Sequence, residues 1–131
     1  MSVDATEVNL PEVLRELEAE FARYETALVN NDVASLDALF WDADLTVRYG
    51  TAENLYGYPM IAAFRARRAP TGLAREILRS SITTFGRDFG VTSIEFARHG
   101  NPRTGRQTQT WVRMASGWRV VAAHVSWMET T

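Results

Sequence analysis

Between Leu10 and about Asn31 the apolar and aromatic residues Leu14, Leu17, Phe21, Tyr24 and Leu28 recur at spacings of three and four. That period predicts a helix with one buried face. Pro11 suits its first turn, and the polar run Asn30–Asp32 stops it. "VASLDALF" then predicts a short second helix capped by Asp32. In "DLTVRYG" the period drops to two, with Leu45, Val47 and Tyr49 on one face, Thr46 and Arg48 on the other, and Gly50 ending a short strand. A third helix is predicted from Pro59 to about Arg68, stopping before "APTG". Beyond Gly72 the turn signals in "GRDFG", "GNPRTG" and "SGW" divide the chain into four strands, an antiparallel meander.

The last strand carries a consequence for assembly. Strict alternation places Trp118, Val120 and Ala122 on one face and Val121, Ala123, Val125 and Trp127 on the other. Both faces then read as apolar. Three helices cover only one face of a small sheet, so the second face is expected to meet another copy, in a homodimer or a higher assembly containing one.

Composition narrows the chemistry more than the fold. The chain has 131 residues, of which 46% are hydrophobic, enough for one core, so residues 1–131 read as a single domain. It has no cysteine, which removes disulfides, thiolate metal sites and cysteine nucleophiles together. All 14 basic residues are arginine and the net charge is only -2, so neither nucleic acid nor a membrane is expected as a partner, and no lysine exists for a Schiff base. The cluster Arg65, Arg67 and Arg68 in "FRARR" reads as a solvated helix end, where cations complement the dipole. The opening "MSVDATEVNL" has neither a basic nor an apolar region, so a cytoplasmic location is expected. With His99 and His124 the only imidazoles, no metal site is expected. No "GxSxG" elbow is present for a serine nucleophile.

One residue breaks the local pattern. Arg48 stands within the otherwise apolar Leu45–Tyr49 run, and if its face lines the core its charge needs an answer. Either a protein carboxylate supplies it (Glu53, Asp44 or Glu25) or a ligand anion does. A guanidinium presents a rigid fork that fits a carboxylate bidentately. Tyr24, in the apolar stripe of the first helix, brings a phenol into the same interior.

The element order, together with the segments "NNDVASLDALFWDADLTVRYGTAENLYGYPMIAAFRARR", "ITTFGRDF", "GRQTQTWVRM" and "GWRVVAAHVSWM", resembles the AtzH-like family, also called HpxZ-like or DUF3225, of the NTF2-like (SnoaL-like) superfamily. The resemblance covers nearly the whole chain. It implies an α+β cone, a curved antiparallel sheet wrapped around a long N-terminal helix with two shorter helices. It further implies a bacterial protein of nitrogen catabolism, converting 1,3-dicarboxyurea to allophanate in cyanuric acid degradation or serving oxalurate and purine breakdown. Its pathway partner would be an amidase-signature hydrolase with a GatC-like subunit. The family's proposed catalytic tyrosine and arginine match Tyr24 in "EFARYETAL" and Arg48 in "LTVRYG". On this reading Arg48 holds a substrate carboxylate and Tyr24 donates a proton, with no cofactor.

Weaker candidates for binding substrate are His124 in the last strand, Gln109 in "RQTQTW", and Tyr49 and Tyr56 near the cone mouth. Each has an ordinary structural alternative: a core histidine, a cross-strand polar contact, turn chemistry. The alternative function is a non-catalytic accessory or ligand-binding module of the amidase pathway. Enolisation by a carboxylate base ranks last, since Asp44 and Glu53 are the only nearby acids and neither is expected on the Arg48 face.

Overall fold

The computed structural model describes residues 2–130. After a 3-10 turn at Ala5–Glu7 come α1 (Pro11–Val29), α2 (Val33–Leu39), β1 (Val47–Tyr49), β2 (Asn54–Tyr56) and α3 (Tyr58–Arg67). Four long strands follow: β3 (Glu76–Phe85), β4 (Phe89–Ala97), β5 (Gly105–Met114) and β6 (Gly117–Trp127). Pro11 occupies the first turn of α1 as expected, and Asp32 caps α2 by accepting the Ser35 N–H. The strand β2 was not anticipated. Leu45, assigned to the first strand by alternation, is 77% exposed and precedes it.

The strands form one six-stranded sheet in the order β2-β1-β6-β5-β4-β3. The meander β3 to β6 is antiparallel, but β1 runs parallel to β6, so the whole sheet is mixed rather than antiparallel. Val13, Leu17, Phe21, Tyr24 and Leu28 of α1 meet Ile94, Phe96, Trp111, Trp118 and Val120 of the sheet in a single core. Val13, not Leu14, completes the buried stripe of α1. Deleting a fully buried member such as Leu17 costs about 2–5 kcal/mol in a core of this kind.

A β-bulge in β6 overturns the two-faced reading of that strand. Thr110 pairs with Ala122 but Trp111 pairs with Val120, which leaves Val121 as an extra residue. An extra residue shifts the alternation by one. Trp118 and Val120 before the bulge, and Ala123, Val125 and Trp127 after it, therefore all pack toward the same core. Ala122 and His124 are left exposed on the other face. β6 therefore contributes Ala122 and His124, rather than Val125 and Trp127, to the second face.

The bulge also brings the end of β6 over the same interior as β1. Arg48 lies in register between Leu55 of β2, which is buried, and Ala123 of β6, which packs on the core. Its neighbour Thr46 is fully buried and donates a hydrogen bond to the Trp41 carbonyl at 2.8 Å. The Arg48 face of β1 therefore looks into the cone.

Candidate functional site

Arg48 is held by two contacts, each from a different part of the chain. Its Nη1 donates to Glu53 Oε1 at 3.0 Å, and its guanidinium carbon lies 5.1 Å from the Phe64 ring centroid of α3. Glu53, in the turn between β1 and β2, also accepts the Ala52 N–H at 3.2 Å. Gly50 makes this possible. A Cβ at that position would stand 1.7 Å from Glu53 Oε1 and 3.0 Å from Arg48 Nη1, so only glycine lets the pair close over the backbone. The sequence therefore supplies a protein carboxylate for Arg48, but through one nitrogen of the fork; among the described residues Nε and Nη2 have no partner. Glu53, expected off the Arg48 face, is on it.

This pair forms one wall of a cavity of about 120 Å³ lined by Arg48, Thr51, Glu53, Phe64, Arg68, Leu73, Phe96, Arg98, Val125 and Trp127. Larger hollows exist. The groove of about 360 Å³ between α1 and α2 has one arginine, Arg23, and one acid, Asp32, among otherwise uncharged side chains. Another of about 430 Å³ runs along Ala74–Glu76 and Ala97–His99 and shares Arg98 with the cavity. Three guanidiniums converge only on the smaller space among these, and polar convergence in an apolar frame marks a binding site better than volume does.

The two arginines beyond Arg48 were missed by the sequence reading. "FRARR" is not a solvated helix end: Arg65 is buried, paired with Asp37 and stacked 4.6 Å from the Phe40 centroid, Arg67 is exposed, and Arg68 lines the cavity. Arg98 continues the inward face of β4 after Ile94 and Phe96, and its guanidinium lies 5.6 Å and 5.8 Å from the centroids of Phe96 and Trp127. Those rings are themselves edge-to-face at 5.3 Å, and Gly105, paired with Phe96 in the ladder, leaves room for them. Both aromatic rings thus lie within cation–π reach of Arg98.

Electrostatically the cavity is unbalanced. Where this chain buries an arginine for structure it supplies an acid: Arg65 has Asp37, and Arg75 has Glu25 together with the Gln107 carbonyl. Arg68 and Arg98 have none; among the described residues neither guanidinium donates a hydrogen bond, and Arg68 Nε and Nη2 and Arg98 Nε are also shut off from solvent. Burial, above all, makes both cations harder to hold than an ordinary arginine; Arg48 adds repulsion to each, Arg75 repels Arg98 as well, and Glu25 acts the other way on Arg98. The Tyr24 phenol acts the other way on both, since its ionised form would stabilise their charge.

Tyr24 is 5% exposed, with its ring tilted against Phe40 at 6.4 Å. It is outside the cavity wall but within electrostatic reach of Arg68 and Arg98, and its hydroxyl has no hydrogen-bond partner among the described residues. The structure brings Arg48 and Tyr24 to the same pair of arginines. It does not bring the weaker candidates there. Tyr49, Tyr56 and His124 cluster on the opposite sheet face, with the two hydroxyls 3.1 Å apart and the Tyr49 and His124 rings edge-to-face at 5.7 Å. Gln109 is sealed in the core, where Trp111 Nε1 donates to Thr92 Oγ1 and the Thr92 hydroxyl donates to Gln109 Oε1. That is the cross-strand contact on its oxygen; among the described residues the buried Gln109 Nε2 has no partner.

The AtzH-like family model matches residues 6–131. The chain belongs to the AtzH-like family. A solved protein of unknown function from the DUF3225 family of Pectobacterium atrosepticum is 52% identical, with a TM-score of 0.96 over 98% of this chain and 100% of that one. A cystatin-like fold protein from Burkholderia xenovorans is 46% identical, with a TM-score of 0.91 over 95% and 98%. An NTF2-like superfamily protein from Salmonella enterica shares the fold at 22% identity, with a TM-score of 0.75 over 92% and 94%. No curated protein matches. The NTF2-like fold hosts enzymes and non-enzymes, so membership of the AtzH-like family sets the architecture and leaves the chemistry to the site. Among the described residues no helix is long and apolar enough to cross a membrane.

Proposed function

We propose that this AtzH-like protein removes carbon dioxide from a small N-carboxylated urea, of which 1,3-dicarboxyurea giving allophanate is the leading case, beside an amidase-signature hydrolase in bacterial nitrogen catabolism. The observation that carries the reading is a small cavity with three converging guanidiniums and one carboxylate, within electrostatic reach of a phenol whose hydroxyl has no hydrogen-bond partner among the described residues. Arg48 offers its free Nε and Nη2 edge to a carboxylate. Tyr24, which stands outside the cavity wall, supplies a proton to the carbamate nitrogen through one water; the C–N bond breaks, its electron pair stays on nitrogen, and carbon dioxide leaves neutral. The phenolate left behind faces Arg68 and Arg98, whose charge it stabilises. Water reprotonates it. Each step uses groups of this chain and no cofactor.

The test is to add the purified protein to freshly generated 1,3-dicarboxyurea and follow carbon dioxide and allophanate by mass spectrometry. Acceleration over the spontaneous background is expected, and its absence across pH 6 to 9 (roughly the range in which a phenol and a carbamate both persist) refutes catalysis. The Arg48–Glu53 pair favours one other reading, in which the cone binds a carboxylated intermediate without transforming it. Binding without acceleration would establish that reading.

A further inference from the structure

The cavity has more charge than the transfer of one proton and the grip of one carboxylate require. Arg48, Arg68 and Arg98 contribute three positive charges and Glu53 one negative, an excess of two. Glu53 is already engaged with Arg48. The unanswered charge is therefore concentrated on Arg68 and Arg98, two half-buried arginines whose guanidiniums meet neither an acid, as those of Arg65 and Arg75 do, nor any other protein acceptor among the described residues.

Their supports imply a fixed geometry rather than a loose cationic patch. Arg98 lies against Phe96 and Trp127, and Arg68 sits at the end of α3, one turn beyond Phe64, which itself backs Arg48. Aromatic faces take the flat side of a guanidinium and leave its N–H edge for hydrogen bonding. No protein acceptor meets that edge on either residue among those described. Holding two such cations together without an anion opposes folding, so the arrangement is one that a bound anion completes.

We infer that Arg68 and Arg98 form a second carboxylate clamp, distinct from Arg48, so that the cavity selects small dianions over monoanions of the same shape. The inference rests on the decarboxylase reading for its substrate but not for its test. It makes the charge bookkeeping of the reaction consistent. The departing carboxylate and the Tyr24 phenolate face the same two guanidiniums; as the first loses its negative charge to become carbon dioxide, the second acquires one. The clamp then sees one anion before and after the step. Once water has reprotonated Tyr24, a monoanionic product leaves Arg68 and Arg98 unanswered and is held more weakly than the substrate, which favours release. The clamp supplies selectivity and turnover; the proton transfer lowers the barrier.

Glutarate and glutaramate test this directly. Both have a five-carbon chain, matching the carboxylate spacing of dicarboxyurea, neither can lose carbon dioxide by this route, and they differ only in one carboxylate replaced by a neutral amide. Calorimetric titration of the intact protein should find glutarate bound at least about tenfold tighter, the worth of one charge-assisted contact. Arg68→Met and Arg98→Met should each bring the ratio toward one, while Arg48→Met weakens both ligands and leaves the preference. Arg68→Lys and Arg98→Lys keep the charge and serve if a methionine variant fails to fold; they should retain part of the preference. Equal affinity of the unaltered protein for the two ligands, binding of neither at millimolar concentration, or an unchanged ratio in folded Arg68 and Arg98 variants overturns the clamp. Glutarate preference with no turnover of dicarboxyurea overturns the decarboxylase reading instead and leaves the clamp standing.

Discussion

Replacing Arg48 with methionine separates a structural arginine from one kept for a ligand. The substitution removes one attraction, to Glu53 at 3.0 Å, and two repulsions, with Arg68 and Arg98. Coulomb energy falls inversely with distance, so the two repulsions relieved offset part of the one attraction lost. The Arg48 and Glu53 side chains are 12% and 24% exposed, so the carboxylate left behind is neither sealed from water nor bare, since the Ala52 N–H still donates to it. The stacking of the guanidinium on Phe64, worth about 0.5–1 kcal/mol, is replaced by a thioether contact of similar size. The net change in stability should then lie within about 1 kcal/mol, roughly 4 °C in melting temperature for a domain of this length. Urea denaturation gives the free energy, thermal denaturation the shift, and carbon dioxide release the turnover, which should vanish. A loss of about 3–5 kcal/mol is what breaking a buried structural pair costs. That result would return Arg48 to the scaffold, and a folded, fully active variant would end its catalytic assignment.

Four further outcomes follow from the same geometry. Tyr24→Phe should lower turnover by about 10²-fold or more while leaving urea stability nearly unchanged, because its hydroxyl has no partner to lose among the described residues; a large loss of stability would mean that a partner exists. Glu53→Gln should tighten glutarate binding severalfold by removing the one acid in the wall, and Gly50→Ala, whose Cβ displaces that carboxylate, should move affinity in the same direction in calorimetry; opposite signs would refute the coupling of Gly50 to Glu53. Gly105→Ala places a Cβ 2.2 Å from the Phe96 ring, which Arg98 and Trp127 keep from retreating, and should cost about 1–3 kcal/mol in denaturant unfolding. Asp32 has its carboxyl held below the ordinary range by the Ser35 hydroxyl and N–H, so the stability it adds is present above that range and fades as pH falls through the depressed value; the melting temperatures of Asp32→Ala and the parent should differ at neutral pH and converge in acid.

Much of the fold was legible because it depends on local periods. The three-and-four spacing of Leu17, Phe21, Tyr24 and Leu28, the cap at Asp32 and the glycine-marked turns place α1, α2 and the meander close to where they stand. The failures come where one residue changes the phase. No feature of "RVVAAHVSW" marks Val121 as unpaired, yet that single bulge moves Ala123, Val125 and Trp127 to the core and His124 away from it. Strand β2 escaped because three residues are too few for alternation to register.

The site was half legible, and the missing half shows what a single chain conceals. Arg68 did carry a signal, since Ile61, Phe64, Arg65 and Arg68 share one face of α3, and so did Arg98, which extends the alternation of Ile94 and Phe96. An arginine that continues an apolar face points inward. But Arg65 carries the same signal and is structural, satisfied by Asp37 from α2, just as Arg75 is satisfied by Glu25 from α1. The distinction between a guanidinium that holds the fold and one that waits for a ligand lies in whether an acid from elsewhere in the chain meets it. Those acids are 28 and 50 residues away in sequence, beyond any local pattern. The inward-facing arginines can be found from periodicity, but their division into paired and unpaired is made by the tertiary fold, and the unpaired ones are where the chemistry of this cone should be sought.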